Sequence, residues 1–145
     1  MDIFFKITAV AMLLSLITTA VIYALNSFGL MRMAKKAGKD NAWLAWVPIG
    51  NWFIMGEIVS EKLKGNGGLK YTLLNLFYLF AAQMLSTVVA LIVLIPVLII
   101  DVLVMYWIYK KFANAPVLHT ILSCVIPMYM VICLFVVSKN EPKNI

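Results

Sequence analysis

The 145-residue chain is 64% hydrophobic and 12% charged, with a mean hydropathy of +1.00, a composition that excludes a water-soluble globular domain. Spanning a bilayer takes about 20 apolar residues per helix, so the length admits about four crossings with short loops and no separate soluble domain. The net charge of +6 does not point to a nucleic-acid partner, because Lys and Arg gather at the ends of apolar runs, where anionic lipid and the positive-inside rule account for them.

The first element is the 25-residue uncharged run 7–31, too long for the apolar region of a signal peptide and without a small-x-small cleavage site. Asp2 and Lys6 cancel on its amino side, whereas Arg32, Lys35, Lys36 and Lys39 outweigh Asp40 on the other, which predicts a spanning helix with the N-terminus outside. Ala11, Ser15 and Thr19 recur every four residues, and Ala20 and Ala24 form a second small pair; both are close-packing faces for another helix.

Two more basic clusters, Lys62, Lys64 and Lys70, then Lys110 and Lys111, belong with the first on the cytoplasmic side. Residues 41–60 must then leave and return on one face, as a re-entrant or interfacial segment, with Pro48–Ile49–Gly50–Asn51 at its centre and Glu57 near its end. Trp43, Trp46 and Trp52 within it, and Trp107 later, are expected as interface anchors. The Gly-rich stretch 64–68 lacks a Walker pattern and reads as a loop.

Residues 71–109 carry one charge in 39 residues, and a continuous helix of that length would reach roughly 58 Å against a core of about 30 Å. Either two spans at about 71–90 and 91–109 turn near Ala90, or one span breaks at Pro96 and the remainder lies on the interface; the positive-inside rule favours the hairpin. The last uncharged run opens after Asn114–Ala115–Pro116 and contains Pro127, predicting a kinked span at about 117–138 with Lys139, Glu141 and Lys143 outside. The expected fold is therefore an all-α integral membrane protein, one domain over residues 1–145, with about four transmembrane helices and one re-entrant or interfacial segment.

Polar residues at membrane depth are the candidate functional residues, since a charge there costs about 2.5–3.5 kcal/mol even on the lenient insertion scale. Asp101 stands out, as a proton- or cation-handling carboxylate or as a hydrogen-bonded packing group. His119 is a possible partner; Gln83, Ser86 and Thr87 offer further polar groups, and Glu57 and Asn51 complete the candidate set. Cys124 and Cys133 match neither a redox pair nor a metal spacing. With one His, no GxSxG, no HExxH and no cofactor motif, the residues point away from catalysis, metals and cofactors.

The run Lys36–Ala37–Gly38–Lys39, then Trp43, then Val47–Pro48–Ile49–Gly50–Asn51, resembles the Lys-Ala-Gly-Lys…Trp…Pro-x-x-Asn signature of small multi-spanning bacterial membrane proteins of unknown function, a module similar to one sometimes joined to signal peptidase domains. Gly50 stands where that signature has an aromatic residue. The resemblance implies a bacterial cell membrane and no particular activity. The expected role is a non-catalytic accessory or regulatory partner of a membrane complex, or a part in envelope stress or self-protection, with the lipid bilayer and a membrane-protein partner or second copy as its contacts. The alternative is a small transporter or channel subunit in which Asn51 and Glu57 line a path to Asp101.

Overall fold

The computed structural model describes residues 2–84 and 87–144, and those residues are all-α, with no strand among them. The helices are α1 (Asp2–Lys36), α2 (Pro48–Ile58), α3 (Ser60–Leu63), α4 (Gly67–Met84), α5 (Thr87–Phe112), α6 (Pro116–Val125) and α7 (Pro127–Val137), with a 3-10 helix at Ala42–Trp46. Each of α2, α6 and α7 begins with a proline at its first turn, where the missing N–H costs nothing.

α1 runs 35 residues, about 52 Å. Its hydroxyls bond back onto its own carbonyls, Thr8 to Phe4, Ser15 to Met12, Thr18 to Leu14 and Thr19 to Ser15, so they carry no unmet polarity into apolar surroundings. Every residue from Ile3 to Val21 is exposed, and α1 packs only through its C-terminal part, against the 3-10 helix, α2 and α7. The faces Ala11–Ser15–Thr19 and Ala20 are thus unused within the chain. The close approach comes lower down, where a Cβ on Gly29 would stand 3.2 Å from the Phe135 backbone of α7.

After Lys39 the chain descends beside α1 far enough for the Tyr23 hydroxyl to donate to the Trp46 carbonyl at 2.7 Å. It breaks at Val47, in extended conformation (φ −95°, ψ 130°), and returns as α2. The return closes at Lys39, whose Nζ donates to Ser60 Oγ at 2.9 Å. Residues 41–60 therefore form a hairpin with both ends at the same end of the molecule.

The stretch 71–109 is two antiparallel helices rather than one. α5 continues through Pro96, and Ala90, the expected turn, lies inside it; the reversal falls between Met84 and Thr87. Among the described residues two helices, Ile3–Lys36 and Val88–Phe112, are by length and composition apolar enough to cross a membrane, instead of the four expected. α4 has only 18 residues, and Lys70, Asn75 and Gln83 lower its hydropathy.

The expected span at 117–138 is also corrected. Pro127 divides it into helices of 10 and 11 residues, and Ile126 between them is extended (φ −125°, ψ 96°). His119 Nδ1 lies 2.6 Å from the Tyr129 hydroxyl, whereas ten residues along a straight helix span about 15 Å. The chain doubles back. The tail returns to the C-terminus of α5, with Asn140 Nδ2 donating to the Phe112 carbonyl at 2.8 Å and the Lys143 N–H donating to the Lys111 carbonyl at 2.7 Å. Lys139, Glu141 and Lys143 thus sit beside Lys110 and Lys111, not at the opposite end.

Eleven of the twelve Lys and Arg residues, all but Lys6, consequently gather at one end of the molecule with Asp40, Glu57, Glu61 and Glu141. The main apolar core lies just beneath that basic end, built from Leu30 and Met33 of α1, Ile54 and Ile58 of α2, Val104, Ile108 and Phe112 of α5, and Leu134 of α7.

Candidate functional site

The candidate polar side chains and their partners fall into three groups rather than one path. In the first, Asp101 on α5 accepts a hydrogen bond from the Tyr71 hydroxyl of α4 at 2.7 Å. The antiparallel pairing of α4 and α5 brings these two residues opposite each other. Asn75, one turn beyond Tyr71 on the same face, is buried and donates to the Tyr71 carbonyl at 3.0 Å. Asp101 does not meet His119. Gln83 is exposed near the end of α4, about 18 Å along the helix from Tyr71; Ser86 lies outside the described residues, as does the Thr87 side chain.

His119 belongs to the second group, in the α6–α7 hairpin. Its Nδ1 is 2.6 Å from the Tyr129 hydroxyl and 3.5 Å from Cys133 Sγ, and the neighbouring Tyr109 and Ser123 hydroxyls bond at 2.7 Å. Cys133, which matches no redox or metal spacing in the sequence, is thus a neighbour of the chain's single histidine. Cys124 is exposed.

The third group ties the basic end together. Glu57 Oε1 accepts the Gly68 N–H at 3.1 Å, meeting one of the unpaired donors at the start of α4, while Oε2 lies 3.6 Å from Lys39 Nζ. Lys111, 7% exposed, donates to Glu61 at 3.0 Å and to the Ile58 carbonyl at 3.3 Å. The hydrogen bond from Lys111 and its charge hold the Glu61 carboxyl below the usual carboxylate range. Lys36 pairs with Glu141 at 2.9 Å and donates to the Lys139 carbonyl at 2.6 Å. Gly67 and Gly68, expected in a loop, open α4 and are buried against α2.

A cavity of about 560 Å³ opens at this end, with Lys39, Asp40, Asn41, Glu57 and Asn66 in its lining. Asp101 does not line it. Asn51 is half-buried with its Oδ1 unpaired and does not line the cavity either. The four tryptophans divide: Trp43 and Trp46 are 61% and 45% exposed, whereas Trp52 and Trp107 pack against the core.

No family model, curated protein or solved structure matches this chain. Its function has to be read from the arrangement itself. The residues that sequence reasoning missed are Tyr71, Lys39, Lys111 and Cys133, each made relevant by a partner that a chain reversal brings to it. Tyr71 and Asn75 at helical spacing were the one legible trace, a polar stripe on an otherwise apolar helix.

Proposed function

We propose that the chain is a non-catalytic, multi-pass membrane protein of the bacterial cell envelope that serves as an accessory or regulatory subunit of a membrane complex. α1, α4 and α5 cross the bilayer, the N-terminus lies outside, and the hairpins 41–60 and 116–138 enter from the basic, cytoplasmic face and return to it. Envelope stress or self-protection is the biological setting that suits this shape.

The observation that carries the reading is the bare stretch of α1. From Ile3 to Val21 every residue of the helix is exposed, and α1 packs on the 3-10 helix, α2 and α7. It presents small residues at close-packing spacing, which association between membrane helices uses. Asp101, Glu57 and Lys111, in contrast, are engaged in holding helices together: Asp101 by Tyr71, Glu57 at the start of α4, Lys111 by Glu61.

A photo-crosslinking residue at Ser15, expressed in the native host, should give a discrete protein adduct, whereas the same residue at Ile99 of α5 should give lipid adducts. Lipid adducts alone at both positions would remove the support for a docking role.

The topology has its own test. In a Cys124→Ala/Cys133→Ala background, Ile3→Cys should react with a membrane-impermeant maleimide in intact cells, and Asn144→Cys only after permeabilisation. Labelling of both from outside would restore the four-span arrangement.

A further inference from the structure

We propose that the cavity at the basic end binds a phosphoethanolamine group, carried by a phospholipid or by a soluble glycerophosphodiester. The cavity's charge pattern is the starting point. The basic end as a whole has eleven basic side chains against four acidic ones, yet the cavity reverses that balance, with one cation, Lys39, and two carboxylates, Asp40 and Glu57. A simple anion would be drawn to the end of the molecule and repelled by this cavity; a simple cation would meet the reverse conflict. A ligand carrying both signs a few ångströms apart matches both.

The surroundings narrow the class. Asp40 has no ion-pair partner among the described residues, so its carboxylate is free to take an ammonium. Lys39 Nζ donates to Ser60 Oγ at 2.9 Å and keeps Glu57 only at 3.6 Å, beyond hydrogen-bond range; with one of its three donors used, the ammonium retains donors for a phosphate. Asn66 in the lining adds an amide, a neutral donor and acceptor. Phe53 and Leu69 supply an apolar wall, and Leu69 is 49% exposed, so that wall continues onto the outer surface of α4 where an acyl chain would lie. A primary ammonium donates three hydrogen bonds, and two carboxylates with an amide provide acceptors for them; a quaternary choline group donates none.

The site requires the basic end to lie at the headgroup level, as proposed above, but not the accessory role. The experiment is native mass spectrometry of the detergent-solubilised full chain. It is exposed to equimolar phosphatidylethanolamine, phosphatidylcholine and phosphatidylglycerol with identical acyl chains. Phosphatidylethanolamine should be retained over phosphatidylcholine by roughly tenfold, the size of one charge-assisted hydrogen bond gained or lost. Asp40→Asn should reduce that preference several-fold without weakening phosphatidylglycerol adducts, since it removes a negative charge, and Lys39→Gln should weaken phosphatidylethanolamine retention several-fold. Displacement by acyl-free glycerophosphoethanolamine assigns the site to a soluble ligand, and resistance to it assigns the site to lipid; either result keeps the recognised group. Equal retention of the ethanolamine and choline lipids, or an Asp40→Asn variant that binds like the parent, overturns the proposal. Carbonate extraction of native membranes tests the membrane placement separately.

Discussion

Gly56→Leu and Gly67→Ala should each leave little folded protein. α2 and α4 meet backbone to backbone: a Cβ on Gly56 would run into the Gly67 carbonyl, and one on Gly67 would lie 2.8 Å from Ser60 Cα and against the Gly56 carbonyl. Neither obstacle is the movable tip of a side chain, so the helices would have to separate. That separation would also pull the Gly68 N–H from Glu57. Ordinary overpacking costs about 1–3 kcal/mol; with backbone on both sides, a loss of about 3 kcal/mol or more is expected. Gly65→Ala is the control, because Gly65 has φ +92° but open space around it, and only the left-handed backbone penalises it, by about 1–2 kcal/mol. Thermal unfolding in mild detergent reads all three. A Gly67→Ala protein melting within about 2 °C of the parent would show that α2 and α4 are not packed this way.

Tyr71→Phe should destabilise the protein by about 1–3 kcal/mol, more than Asp101→Asn does. The phenol is the donor to Asp101, and its removal leaves the carboxyl group half-buried with one partner fewer, whereas an Asn at position 101 still presents an oxygen to Tyr71. Replacing both, as Tyr71→Phe with Asp101→Leu, should recover much of the loss, since two apolar groups leave nothing unsatisfied. The measurement is a double-mutant cycle on unfolding in detergent. A stable Asp101→Asn protein that has lost its cellular phenotype would instead favour the transporter or channel reading.

The parts of the fold legible in the sequence were those set by local composition. The uncharged run after Lys6 is one helix and Pro116 begins another, as expected, whereas Pro48 and Pro127, expected as a re-entrant centre and a kink, each begin a new helix as well. What could not be read was the angle at each break. Pro127 removes a backbone donor whether the chain bends slightly or reverses, and the reversal is decided by contacts distant in sequence, such as Asn140 with Phe112. The same holds for 71–109, where no Gly or Asn marks the turn. Until α4 is seen to end at Met84 and α5 to begin at Thr87, the residue opposite Asp101 is undefined, and His119 looks as good a partner as Tyr71. The Gly-rich stretch misled for a related reason: glycine serves flexible loops and tight helix contacts alike, and only α2 across from it distinguishes them.

The two hairpins have a mechanical consequence for the surrounding lipid. In the proposed orientation the outer leaflet accommodates three helices, α1, α4 and α5, while the inner leaflet accommodates those three together with α2, α6 and α7. With helices of similar diameter, the inner leaflet gives up roughly twice the area to protein. In that orientation each copy would act as a wedge with its broad side toward the cytoplasm, crowding one monolayer more than the other and biasing the membrane to bend around it.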